Sequence, residues 1–113
     1  MTLGWDRCGR ASTLKTMYTL HIEHPITDFD TWKEAFAGFA PMRLSAGVRS
    51  HKVLRPIDDP RYVSIDLDFD TAAGAEAFLQ ILRARVWSSP AASPALAGDP
   101  ITRILVTEEA AAA

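Results

Sequence analysis

The sequence predicts an α+β domain with the element order β-α-β-β-α-β, and three observations carry that reading. Tyr18, Leu20 and Ile22 alternate with Thr19, His21 and Glu23. Further on, Val63, Ile65, Leu67 and Phe69 alternate with Ser64, Asp66 and Asp68. A period of two marks a strand with one buried face. After each run, apolar residues recur at spacings of three and four, the period of one helix face. Two strands that are apolar on one side and ionisable on the other define a sheet with one face for helices. The second face has no partner fixed by the pattern, and function is to be sought there.

The first strand spans residues 18–24, and Pro25 is expected to end it by removing a ladder donor. Thr27, Asp28 and Asp30 cluster at a helix start, where side-chain oxygens cap free amides and negative charge suits the helix dipole. Phe29, Trp32, Phe36 and Phe39 form one face of that helix. Pro41 cannot bond back to Ala37, which predicts a break near Ala40 and a further turn through Leu44. Gly47 closes the helical region. Residues 48–55 form a second strand with no clearly apolar face, as expected of an edge strand or a bulge. Pro56, Asp58, Asp59 and Pro60 mark a turn. The third strand spans residues 62–69. Asp70 or Thr71 then caps a second helix, whose buried face holds Ala75, Phe78, Leu79, Leu82 and Val86. Gly74 weakens its first turn by about 1 kcal/mol relative to alanine. Residues 88–100 read as loop, with a short helical turn at Ser93–Leu96. The last strand covers residues 101–107.

This order is the split, ferredoxin-like arrangement. It makes a four-stranded antiparallel sheet with two helices on one face. The first and third strands are central neighbours, the fourth flanks the first, and the second flanks the third. Tyr18, Leu20, Ile22, Val63, Ile65, Leu67, Phe69, Ile104 and Val106 are expected to meet the helices. Burying one such side chain stabilises by about 1.5–3 kcal/mol, so this layer dominates the fold. The opposite face displays His21, Glu23, Ser64, Asp66, Asp68, Arg103 and Leu105.

A chain of 113 residues is one domain by size. The domain is assigned to residues 17–109, with residues 1–16 a flexible extension and 110–113 a disordered tail. Met17 directly precedes the first strand, which makes it an alternative start of translation, and Trp5 is the one large ring in the extension. A domain this small buries only about 60–65% of its unfolded surface, so a second copy would help it. The formal charge of −2, without a basic run, gives no field for nucleic acid. On the open face, Glu23, Asp66 and Asp68 would repel phosphates. No apolar stretch reaches the roughly 18 residues of a membrane span. Arg7, Arg10 and Lys15 precede no apolar region, which argues against a secretory signal. Cys8 is the only cysteine and fits a reducing cytoplasm.

His21, Glu23 and Asp66 are the candidate catalytic cluster, because an imidazole moves protons near neutral pH and a carboxylate fixes its tautomer. The competing reading makes them the polar face of a half-exposed sheet, or a polar dimer interface. His24 points the other way by strand parity, His51 lies on an outer strand, and nothing matches a metal-binding spacing. Trp32 either stacks on a flat substrate or packs between Phe29 and Phe36. Trp87 lines a pocket mouth or plugs a gap, and Tyr18 offers a hydroxyl to a cavity or a buried ring.

Asp28-Phe29-Asp30, Trp32-Lys33 and Phe36 resemble the first helix of the antibiotic-biosynthesis-monooxygenase-like, dimeric α/β-barrel proteins. Gly47-Val48, Asp58-Asp59-Pro60, and Ala75 with Phe78 extend that resemblance over about residues 17–108. It implies a homodimer formed face to face through the sheets. It also implies chemistry on a small molecule: oxidation of aromatic polyketides without metal or flavin, haem degradation, or isomerisation and cyclisation. The haem-degrading branch uses an asparagine, and a histidine on the second helix. This chain has no asparagine, and its three histidines are at positions 21, 24 and 51.

The expectation is therefore a cytoplasmic homodimer without cofactor, binding a small, apolar or aromatic molecule between helices and sheet or at the dimer interface. Proton abstraction by His21, oriented by Glu23 or Asp66, would be the chemistry, and Tyr18, Trp32, Trp87 and Arg103 would contact substrate. The alternative is a non-catalytic interaction or ligand-carrying dimer, held by Arg103–carboxylate pairs on the sheet face.

Overall fold

A computed structural model describes residues 16–112. The expected extension, with Trp5 and Cys8, lies outside the described residues up to Lys15. The elements are β1 (Tyr18–Pro25), α1 (Phe29–Gly38), α2 (Ala40–Ser45), β2 (Ser50–Leu54), β3 (Tyr62–Phe69), α3 (Ala72–Ile81) and β4 (Ile101–Val106). Leu82–Val86 continues α3 as a π-helical turn. The strands form one sheet in the order β2-β3-β1-β4, all neighbours antiparallel, which is the ferredoxin-like arrangement.

Local chemistry sets the boundaries. Asp28, in extended backbone, accepts from the Thr31 amide at 2.8 Å and so caps α1. The break falls at Phe39, and Pro41 sits in the first turn of α2, where its missing N–H is no loss. Gly47 follows with φ of 91°, a conformation that side chains disfavour. Thr71 caps α3 by accepting from the Gly74 amide at 3.0 Å. Pro25 does not end β1 one residue early. Its carbonyl accepts from Ala97 N–H at 3.1 Å, so the donor it lacks faces the following loop and costs the ladder with β3 nothing. The expected second helix changes period before its end, because Trp87 N–H bonds to the Leu82 carbonyl at 2.8 Å, five residues back.

Strand parity sorts the faces as the alternation requires. Leu20, Ile22, Val63, Ile65, Leu67 and Phe69 are buried against Ala75, Phe78 and Leu79 of α3. Tyr18 is only half-buried. Val106 is exposed rather than core, because it ends an edge strand with no neighbour on its outer flank. Phe29, Trp32 and Phe36 of α1 are partly buried, and no residue of α1 is fully so. This helix is a roof resting on the core by one aromatic stripe.

Candidate functional site

Two constellations occupy opposite faces of the sheet. The first is a cavity of about 80 Å³ between sheet and helices. Ile22 and Ile65 form its floor, Trp32 and Phe36 its roof, and Leu82, Val86 and Trp87 one wall. Ala95 and Leu96 close another side, held by the Ala97–Pro25 hydrogen bond and the bridge between Ile26 and Leu96. The lining is overwhelmingly apolar. Apolar cavities of about 150 Å³ admit benzene, so this one accepts a smaller body or one that lifts the roof. Trp32 stacks on Phe36, with ring centroids 4.9 Å apart, and also lines the cavity, so packing and site coincide in one residue.

Two ionisable side chains break the apolar lining. His24 is 3% exposed. Its Nδ1 lies 3.0 Å from the Pro25 carbonyl oxygen. A carbonyl only accepts, so Nδ1 carries the proton and Nε2 keeps its lone pair. Burial pushes the His24 pKa below its ordinary value, and the ring is neutral at pH 7. The other is Arg43 of α2, 8% exposed, with Nη1 2.5 Å from the Phe36 carbonyl and its guanidinium carbon 3.8 Å from the Phe36 ring centroid.

The second constellation crosses the open face. Register places His21 opposite Asp66. His21 Nδ1 lies 2.6 Å from Asp66 Oδ1 and Nε2 lies 2.8 Å from Glu23 Oε2. The Tyr62 hydroxyl donates to Glu23 Oε1 at 2.7 Å. The hydrogen bond to Glu23, then that to Asp66, raises the His21 pKa above its ordinary value. The His21 and Tyr62 bonds in turn lower that of Glu23. A carboxylate at each nitrogen favours the imidazolium, which can donate at both. Asp68 accepts from Thr19 at 2.6 Å and from Ser50 at 2.8 Å. Carboxylates on adjacent strands repel, and His21, placed between Glu23 and Asp66, offsets that repulsion when protonated.

The sequence-derived residues therefore separate. His21, Glu23 and Asp66 come together as expected, and Trp32 and Trp87 line the cavity. The sheet lies between the two groups. Tyr18 and Arg103 are not among the cavity residues. Arg103 is exposed opposite His21 on β4, and no Arg103–carboxylate pair forms among the described residues. His24 and Arg43 were not singled out by sequence. For His24 a signal existed, since an ionisable residue at the parity of Leu20 and Ile22 has to be buried. No group of three or more His, Cys, Asp or Glu side chains among the described residues is arranged to hold a metal ion. No helix among them is long and apolar enough to cross a membrane.

No protein-family model and no curated protein matches the chain. Solved structures do. A dimeric ferredoxin-like protein from an uncultured marine organism matches with a TM-score of 0.61 at 14% identity, covering 85% of this chain and 98% of its own. A protein from Nitrosomonas europaea, described as a candidate antibiotic biosynthesis monooxygenase, matches at 0.58 and 17%, covering 81% and 90%. A cofactor-independent oxygenase from Streptomyces nogalater matches at 0.58 and 10%, covering 86% and 97%. Identities this low speak for the fold alone, and on that level the resemblance read from the sequence holds. The chain has the ferredoxin-like fold of antibiotic-biosynthesis-monooxygenase-like proteins.

Proposed function

We propose that this protein binds a small apolar or aromatic metabolite in the cavity beneath α1 and acts on it by proton abstraction, without a cofactor, as an oxygenase, cyclase or isomerase. One observation carries the reading. His24 is a neutral, buried imidazole on the wall of an apolar cavity, and its protonated nitrogen is already committed to a backbone carbonyl. Its Nε2 is free to take a proton from a carbon or oxygen acid. The conjugate base can then rearrange, close a ring or react with dioxygen. The π-helical turn beside Trp87 supports the reading, since such turns recur at functional sites. His21 suits this role less well, because an imidazolium bound by two carboxylates offers no lone pair.

The open face supports a homodimer, and its observation is separate. Ile101, 55% exposed, and Leu105, 43% exposed, flank the polar cluster on β4, and exposed Leu54 flanks it on β2. A polar centre satisfied within one chain and rimmed by bare apolar side chains fits a second copy of the same sheet. The structural neighbour described as dimeric has this fold. A cytoplasmic location belongs to the same reading.

Solvent-deuterium exchange tests the chemistry. Cyclic 1,3-diketones and hydroxyaryl ketones are incubated with protein in D₂O and examined by mass spectrometry. Wild type is expected to accelerate exchange of at least one, and His24→Gln to abolish it. Undiminished exchange in His24→Gln moves the base elsewhere, and no acceleration by wild type removes proton abstraction.

A further inference from the structure

Among the described residues, two polar side chains are buried, His24 on β1 and Arg43 on α2, and both line the same cavity. They come from elements on opposite sides of it, and the Trp32–Phe36 pair runs between them. His24 meets Trp32 edge-on at 6.5 Å, and Arg43 lies over Phe36 at 3.8 Å. A guanidinium has five donors and stays charged in proteins. Among the described residues the Arg43 side chain makes one hydrogen bond, donating from Nη1 to the Phe36 carbonyl, and no carboxylate pairs with it. The aromatic face beneath it compensates the charge only in part. A desolvated cation beside an apolar cavity, with donors to spare, recognises an anion that enters together with a flat apolar body.

We propose that Arg43 is the anion-binding residue of this cavity, and that the ligand class is a flat weak acid: an aromatic carboxylate, phenolate or enolate whose oxygen meets the guanidinium while its ring lies against Trp32, Phe36 and Trp87. The inference rests on the cavity being the ligand site and adds to it the charge of the ligand. Where the ligand enters as a neutral ketone, a proton on the carbon next to the carbonyl passes to Nε2 of His24. The electron pair left on that carbon delocalises through the conjugated system onto the carbonyl oxygen at the other end, which Arg43 then holds as an enolate oxyanion. No oxidant is consumed.

The probes are benzoate and its uncharged near-isostere benzamide, titrated against the full chain by tryptophan fluorescence and calorimetry. Wild type is expected to prefer benzoate by about tenfold or more, as a charge-assisted bond to a desolvated guanidinium implies. Arg43→Met should reduce benzoate to the benzamide level and leave benzamide unchanged, and Arg43→Lys should keep part of the preference. Equal binding of the two probes by wild type overturns the proposal and leaves the cavity reading standing, whether or not Arg43→Met folds. Preference retained in a folded Arg43→Met also overturns it. Binding of neither probe removes the cavity reading, and the proposal falls with it.

Discussion

His21 Nδ1 stands 2.6 Å from Asp66 Oδ1 across the β1–β3 register, while the other nitrogen of the ring reaches Glu23 on its own strand. A carboxylate at each nitrogen favours the imidazolium, so the folded pKa of His21 lies above its unfolded value. The stability this contributes is fully present below about pH 6.5 and is lost as pH rises through the folded pKa. Urea unfolding should therefore show a midpoint that falls on the alkaline side of neutrality, with the m-value unchanged. His21→Gln should flatten that limb. A wild-type midpoint that rises over the same interval rejects the assignment of His21 as a held cation.

His24 is expected to behave in the opposite sense. Burial disfavours its charged form, so the folded pKa lies below about 6.5. The unfolded chain then takes up a proton first as pH falls, and stability drops on the acid side. The two limbs meet near pH 6.5, so the bulk stability curve has a maximum there and does not by itself say which ring makes which limb. Imidazole carbon-bound proton resonances separate them. The His21 signal should titrate above about pH 6.5 and the His24 signal below it. Coincident titration of both rings would contradict the placement of one on each face.

Much of this was legible in strand parity alone. The alternation through Tyr18–His24 put Leu20 under the helices and His21 on the open face, and both positions stand. The break expected near Ala40, which falls at Phe39 just before Pro41, and the cap expected at Asp70 or Thr71, which is Thr71, rest on local backbone chemistry and were equally readable. The cavity was not. It depends on how α1, the π-helical turn and the loop through Ala95 dock on the sheet, and docking has no sequence period. Five residues of π-helix cannot be told from α-helix by apolar spacing. Arg43 reads as an ordinary surface cation of a short helix. Only the tertiary approach of Phe36 turns it inward.

The open sheet face makes a prediction about assembly. Leu105 lies opposite Thr19 beside the polar cluster and is exposed in the single chain. Leu105→Glu places a charge where a second copy would bring apolar surface. Sedimentation of wild type should give a dimer, and the variant should run as a folded monomer with unchanged circular dichroism. Wild type that stays monomeric at high micromolar concentration rules out this interface.

A glycine pair tests what holds the cavity closed. A Cβ on Gly98 would lie 2.8 Å from Cγ of Pro25, inside any normal contact, and the proline ring is too rigid to yield far. The strain would push the loop off β1, where the Ala97–Pro25 bond and the Ile26–Leu96 bridge seat the Ala95 wall. Gly98→Ala should therefore destabilise by about 1–3 kcal/mol, as overpacking does, and should also weaken ligand binding. Gly38, in the last turn of α1, has nothing within 4 Å of the corresponding position. There alanine costs no space and has the higher helix propensity, so Gly38→Ala should stabilise by about 0.5–1 kcal/mol without loss of affinity. Chemical unfolding and a fluorescence titration on both variants check the pair. If Gly98→Ala unfolds and binds like wild type, the loop is not the wall that keeps this cavity shut.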